Sequence, residues 1–143
     1  MREYITKNEA ETIELGEKLA GQLKCGDILA ITGDLGSGKT ALVKGIAKEL
    51  SINDYITSPT FTLVHSYRGS LATLHHFDVY RVSGEDELFD IGFEEYLDSG
   101  DICVIEWADL IRPLLPSHTK WIHLERTNKN TDERKISLQE AEI

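Results

Sequence analysis

Two short stretches of the chain are continuously apolar, residues 28–31 and residues 102–105. Runs of this length without a polar interruption are typical of strands that lie inside a sheet and are covered on both faces. We therefore predict buried strands over residues 27–32 and 102–105, the second of them ended by Glu106. These two strands would form the centre of the fold.

Elsewhere, apolar residues recur at helical spacing. Residues 39–50 carry an apolar side chain every three or four positions, which predicts a helix directly after a glycine-rich loop. The same spacing predicts a first helix that Thr6 caps and that ends near Gly26. Further helices are predicted over residues 85–97 and 108–115.

Alternating apolar and polar residues predict four more strands. Residues 61–67 and 71–80 have the pattern of a hairpin, and residues 121–126 and 134–139 have the pattern of two late strands. Helices and strands that alternate over a chain of 143 residues predict one α/β domain, residues 1–143. Its central sheet would be mixed, parallel and antiparallel, with flanking helices.

The loop between the first buried strand and its helix reads GDLGSGKT, residues 33–40, and matches the pattern G-x-x-x-x-G-K-[ST]. In such a loop, backbone N–H groups and the helix N-terminus surround phosphate oxygens. Lys39 would contact the β- and γ-phosphates, and the Thr40 hydroxyl would ligate Mg²⁺. A glycine turn without a ligand is the alternative, but the flanking strand and helix favour a P-loop NTPase-like domain.

Phosphoryl transfer at this kind of loop normally needs an acid at the end of a second strand, beside the metal. Glu106 follows the continuous apolar run, whereas Asp78 follows a run of mixed polarity. We favour Glu106, which could bind the metal or polarise the attacking water, and keep Asp78 as the second candidate. A solvated strand-end carboxylate is the alternative for each.

A third polar segment, Ser-Pro-Thr-Phe-Thr at residues 58–62, surrounds a proline with hydroxyl groups. It lies where the switch segments of P-loop proteins sense the γ-phosphate. Thr60 is the candidate sensor, although capping of the following strand would explain the same residue.

The adjacent pair His75 and His76 does not predict a metal site. Neighbouring residues of a strand face opposite sides of the sheet, so the two imidazoles cannot easily share one ion. We interpret both as surface or packing residues.

Composition narrows the class of partner and the compartment. The chain has 25 acidic and 15 basic residues, a formal net charge of -10. Nonspecific nucleic-acid affinity comes from Lys and Arg, so we expect no strong direct binding of nucleic acid. The chain has two widely separated cysteines, and its sequence shows no signal-like start and no long apolar span. We therefore expect a cytoplasmic protein without a membrane partner.

The base-reading motif of guanine-specific GTPases, N-K-x-D, is broken here because Thr131 stands where the aspartate is required. We therefore favour ATP over GTP. A small-molecule kinase stays open, although the chain shows no arginine-rich lid.

Four segments occur in one order along the chain: GDLGSGKT at 33–40, SPTF at 58–61, HFDVYR at 76–81 and VIEWAD at 104–109. Together they resemble the bacterial TsaE family over almost the whole chain. The resemblance implies a Mg²⁺-dependent ATPase that supports threonylcarbamoyladenosine modification of tRNA. It also implies TsaD-like and TsaB-like protein partners, with low activity alone and stimulation by those partners.

The resemblance implies site residues as well. It places Thr40 and Glu106 at Mg²⁺, Thr6 near the nucleotide base, and Arg134 as a further nucleotide contact. A nucleotide-dependent interaction module, in which hydrolysis only resets the protein, is the alternative function. The backbone around the phosphates would be that of Asp34, Leu35, Gly36, Ser37, Gly38, Lys39, Thr40 and Ala41.

Overall fold

The computed structural model describes residues 2–34, 36–59, 62–129 and 131–139. Within these ranges the chain forms seven strands, four α-helices and one 3-10 segment. In chain order they are β1 (Arg2–Thr6), α1 (Glu9–Ala20), β2 (Ile28–Thr32), α2 (Lys39–Glu49), β3 (Val64–Arg68), β4 (Thr73–Asp78), α3 (Glu85–Asp90), α4 (Phe93–Leu97), β5 (Ile102–Glu106), the 3-10 segment (Ala108–Leu114), β6 (Lys120–Arg126) and β7 (Arg134–Gln139).

The strands form one mixed sheet in the order β1-β7-β6-β2-β5-β4-β3. Four central strands run parallel to one another, in the order β6, β2, β5 and β4. The outer pairs β1–β7, β6–β7 and β3–β4 are antiparallel. The predicted fold class is therefore confirmed, and the carboxyl ends of the four parallel strands meet at one edge of the sheet.

Both faces of the sheet are covered, as the two continuous apolar runs predicted. On β2, Leu29 and Ile31 pack with α1 and α2, while Ile28 and Ala30 belong to the core on the opposite face. That second core contains Phe77, which meets α4 edge to face. Alternate residues of a strand point to opposite faces, so a strand covered on both sides is apolar throughout.

Helices α1 and α2 pack unusually close together, because glycine stands on both sides of their contact. A Cβ at Gly45 would overlap the carbonyl oxygen of Ile13, and a Cβ at Gly16 would overlap that of Leu42. This close contact holds the helix that leaves the glycine-rich loop firmly against the rest of the fold.

The predicted start of the first helix was wrong. Thr6 ends β1, and the helix is capped by Asn8, whose side chain accepts a hydrogen bond from the backbone N–H of Glu11. The Glu11 carboxylate in turn accepts from the N–H of Lys7, so the capping arrangement exists but lies two residues later. The helix ends at Ala20, before the predicted boundary.

The predicted helix over residues 85–97 is two short helices, α3 and α4. Gly92 separates them with a φ of 75°, a left-handed conformation that interrupts helical hydrogen bonding and that glycine adopts most easily. No helix in the described ranges is long and apolar enough to cross a membrane.

Candidate functional site

A cavity of about 430 Å³ opens at the edge where the parallel strands end. It lies between the start of α2, the ends of β4 and β5, and the start of β7. The residues that line it are Glu9, Thr12, Gly36, Ser37, Gly38, Lys39, Thr40, Ala41, Lys44, Ser58, Asp78, Glu106, Trp107, Asp132 and Arg134. Ligands of α/β sheets typically bind at the carboxyl ends of the strands, so this is the candidate site.

The glycine-rich loop joins β2 to α2 as predicted. Gly38 is the N-cap of α2, with a φ of 102°, and it brings Thr40 and Ala41 to the cavity at the first turn of the helix. Ser37 is buried, and its hydroxyl has no hydrogen-bond partner among the described residues. Gly33 and Asp34 precede this turn without lining the cavity, and Leu35 lies outside the described residues.

Lys39 is only 5% exposed and lies along the loop. Its Nζ donates hydrogen bonds to the carbonyl oxygens of Gly33, at 2.5 Å, and Asp34, at 2.8 Å. The same Nζ lies 4.1 Å from the centre of the Trp107 ring, within the range of a cation–π contact. Burial lowers the pKa of the Lys39 ammonium, and nearby carboxylates, Glu106 foremost, oppose that shift.

Glu106 ends β5 and is 3% exposed. The Thr40 hydroxyl lies 3.3 Å from Oε1 and 3.4 Å from Oε2 of this carboxylate, both long for a hydrogen bond from a hydroxyl. Carboxylate and hydroxyl oxygens are hard donors of the kind that Mg²⁺ prefers. Thr40 and Glu106, the two predicted metal ligands, are therefore brought together and could hold such an ion.

Asp78 lies directly beside Glu106, because the two are register partners on the parallel strands β4 and β5. Its Oδ2 accepts a hydrogen bond of 2.5 Å from the Ser58 hydroxyl, and its Oδ1 accepts one of 2.9 Å from the backbone N–H of Tyr80. The two candidate acids are thus neighbours in one site, and Asp78 connects that site to the segment that follows α2.

Arg134 reaches the loop from the opposite side of the cavity. Its Nη2 donates to the carbonyl oxygen of Gly36 at 2.9 Å, and its Nε donates to that of Ser37 at 3.0 Å. Arg126, on the neighbouring strand, also donates to the Gly36 carbonyl, at 3.4 Å. Arg134 lines the cavity, and the contacts that it makes there are with the loop itself, so its predicted contact with a nucleotide stays a prediction.

The two remaining predicted site residues are Thr6 and Thr60. Thr6 is buried and does not line the cavity, but its hydroxyl lies 2.7 Å from that of Thr12, which does. Its predicted position near a nucleotide base therefore stays a prediction. Thr60 lies outside the described residues, so its predicted role as a sensor also stays a prediction.

Comparison with known proteins places the chain in a family. The model of the family "Threonylcarbamoyl adenosine biosynthesis protein TsaE" matches residues 6–136. The chain belongs to the TsaE family. This confirms the resemblance drawn from the four sequence segments, and it gives the chain a family that is described by its role in threonylcarbamoyladenosine biosynthesis.

Individual TsaE proteins and one solved structure agree with this assignment. The TsaE protein of Bacillus subtilis (strain 168) is 41% identical over 133 residues, which covers 93% of this chain and 82% of that protein. The TsaE protein of Treponema pallidum (strain Nichols) is 40% identical over 120 residues, 84% and 88% of the two chains. The crystal structure of Bacillus subtilis YdiB is similar with a TM-score of 0.83 and 34% identity, covering 99% of this chain and 86% of that one.

Sequence reasoning missed the contact that His76 makes with a residue of this TsaE-family site. His76 is fully buried, which agrees with the packing interpretation, but its Nε2 also lies 2.5 Å from Oε2 of Glu106, a contact that was not predicted. Strand alternation carried the missing signal: His76 stands two positions before Asp78 and therefore faces the same side of the sheet. His75 faces the other side, where it contacts Ser66 and Asp101.

Proposed function

We propose that the chain binds ATP with Mg²⁺ in the 430 Å³ cavity and hydrolyses it in support of threonylcarbamoyladenosine modification of tRNA. One observation carries the proposal. Lys39 and Thr40, at the start of α2, lie in the same cavity as the strand-end acids Glu106 and Asp78. This is the combination of a phosphate-binding loop and a metal-side acid that phosphoryl transfer requires.

The loop supplies groups suited to phosphate. Residues 36–41 line the cavity at the N-terminus of an eleven-residue helix, where backbone N–H groups and the helix dipole favour an anion. Ser37 contributes a buried hydroxyl without a partner in the described ranges, a group that a phosphate oxygen would satisfy. Lys39 would exchange its two carbonyl contacts for phosphate oxygens.

The acids supply groups suited to the metal and to water. Thr40 and Glu106 would hold Mg²⁺, which supplies neutralisation of the charge that develops on the phosphates. Glu106 and Asp78 both line the cavity from strand ends, and either could orient the attacking water. Their burial would strengthen their attraction to the metal relative to that of the same groups in water.

The partners follow from the family role. The chain would act together with TsaD-like and TsaB-like proteins in the cytoplasm. ATP hydrolysis would then support repeated turnover of their complex, and the activity of the chain alone would be low. The net charge of -10 suits contact with protein rather than with the tRNA backbone.

The direct test is hydrolysis of ATP, with GTP as the competitor, measured with and without TsaD-like and TsaB-like proteins. Lys39→Ala should reduce hydrolysis by roughly 10²–10³-fold, because it removes one positioned contact to the phosphates. Lys48→Ala removes a lysine from the exposed end of the same helix and is the matched control. Unchanged hydrolysis in folded Lys39→Ala would refute the proposed site.

The Ser58–Asp78 hydrogen bond favours a second candidate function, a nucleotide-dependent interaction module. It links the segment that begins at Ser58 to the acid beside Glu106, so a bound nucleotide could order that segment for docking. Glu106→Ala distinguishes the two functions if it binds ATP without hydrolysing it. Full support of a single modification cycle would favour the module, and failure would favour hydrolysis as an obligatory step.

A further inference from the structure

We propose that His76 is a positioning residue for Glu106: its Nε2–H fixes one carboxylate oxygen and so holds the carboxylate beside Thr40, where both would meet the metal. This inference rests on the proposed function, because it assigns His76 a role in metal binding at the same site. His76 itself does not line the cavity and would act only through Glu106.

The geometry of the pair supports a specific contact. His76 is 0% exposed and Glu106 is 3% exposed, and the 2.5 Å between Nε2 and Oε2 is the shortest contact of the Glu106 side chain among those the structure describes. By comparison, the Thr40 hydroxyl lies 3.3 Å and 3.4 Å from the two carboxylate oxygens. His76 therefore restrains the carboxylate more than Thr40 does.

The hydrogen bonds of the two ring nitrogens indicate which tautomer of His76 makes this contact. His76 Nδ1 is buried and has no hydrogen-bond partner in the described part of the chain. A neutral imidazole with its proton on Nε2 donates to Glu106 and leaves only a lone pair without a partner. The tautomer with its proton on Nδ1 would bury an unpaired donor and would leave a lone pair facing the carboxylate, which is costly.

The position of His76 in the sheet explains why it can hold Glu106 precisely. His76 pairs with Val104 in the register of β4 and β5, two residues before the pair Asp78–Glu106. All four side chains face the side of the sheet that carries α2, because they alternate with residues of the opposite core. The imidazole is therefore fixed by a central strand, while the longer Glu106 side chain has more freedom without it.

Groups that hold a metal ligand in place typically contribute 10–100-fold to metal affinity or activity. The test uses His76→Gln, which keeps an N–H donor near the Nε2 position, and His76→Met, which has similar length and no donor. Mn²⁺ affinity is measured by electron paramagnetic resonance in the presence of ADP, and ADP affinity is measured separately with EDTA. His75→Met, on the same strand but the opposite face, is the matched control.

We expect His76→Met to weaken Mn²⁺ binding roughly 10–100-fold, with ADP affinity in EDTA unchanged. His76→Gln should restore Mn²⁺ affinity most of the way, and His75→Met should leave it as in the original chain. A residue with a merely structural role would change thermal stability without this selective loss of metal. If His76→Met does not fold, His76→Asn, whose amide does not reach Glu106, should show the same loss.

Two results would overturn the proposal while leaving the proposed function intact. One is a folded His76→Met or His76→Asn that binds Mn²⁺ as tightly as the original chain. The other is a folded His76→Gln that loses as much metal affinity as His76→Met. An original chain that binds neither ADP nor Mn²⁺ would instead refute the proposed function and this inference with it.

Discussion

The cavity has two walls that come from different parts of the sheet. The parallel-strand wall consists of Lys39, Thr40, Asp78 and Glu106, from α2 and the ends of β4 and β5. The antiparallel-strand wall consists of Arg134, at the start of β7, and Arg126 of the neighbouring strand β6 donates to the same loop without lining the cavity. The first brings acids, an amine and a hydroxyl into the cavity, whereas the second donates hydrogen bonds to carbonyl oxygens of the loop.

The two walls therefore contribute differently to the site. Parallel strands end at the same edge, so Asp78 and Glu106 lie side by side without any special loop. The two arginines donate hydrogen bonds to the carbonyl oxygens of Gly36 and Ser37. We therefore expect the parallel-strand wall to determine the chemistry and the antiparallel-strand wall to determine the shape of the loop.

The largest effect is expected from Glu106→Gln. The amide has the same shape and can still accept a hydrogen bond from His76, but it lacks the charge that holds metal or activates water. Hydrolysis should fall roughly 10²–10³-fold, while nucleotide affinity in EDTA stays unchanged. Single-turnover hydrolysis and calorimetry measure the two quantities.

Glu125→Gln, which removes a carboxylate from the half-exposed end of β6, is the matched control for Glu106→Gln. Hydrolysis at the original rate by folded Glu106→Gln would show that the parallel-strand wall does not carry the chemistry.

Arg134→Ala should have a smaller effect, and it should change nucleotide affinity rather than the rate of hydrolysis. The loop would lose two hydrogen bonds and would have to be ordered by the nucleotide instead, so affinity should fall roughly tenfold, about 1.4 kcal/mol. The rate at saturating ATP should change little. Lys135→Ala, which removes the neighbouring half-buried cation on β7, is the control. A large loss of rate at saturation would move Arg134 into the chemistry and would erase the distinction between the walls.

The sequence predicted the parts of this arrangement that depend on local pattern. Both continuous apolar strands, the loop, the helix after it and the position of Glu106 at the end of its strand were predicted, because each follows from residues that are close together in the chain. Strand β1 was missed, and Thr6 was taken for a helix cap, because β1 is defined by pairing with β7 at the other end of the chain. A five-residue strand with no partner nearby has little local signal.

The contact between His76 and Glu106 could not be predicted for a related reason. Strand alternation alone shows that His76 and Asp78 share a face, but not which strand lies beside them. The pairing of β4 with β5, which joins residues 28 positions apart, decides that Glu106 is the neighbour. For the same reason, Asp78 and Glu106 had to be treated as competing candidates before their shared register was known.

The smallest predicted effect concerns the cost of keeping Lys39 charged in the parallel-strand wall. Burial lowers the pKa of its ammonium from 10.5, so between the lowered pKa and 10.5 the unfolded chain binds more protons than the folded chain. The contribution of Lys39 to the free energy of unfolding should therefore increase as pH rises through that window.

Without nucleotide, the difference in stability between Lys39→Met and the original chain should shift in favour of the original chain over the same range. Chemical denaturation at several pH values measures this shift, with Lys48→Met as the control for loss of a lysine from the same helix. If the free energy of unfolding depends on pH in the same way for Lys39→Met and Lys48→Met, the parallel-strand wall imposes no electrostatic cost of its own on Lys39. The two walls would then differ only in their contacts.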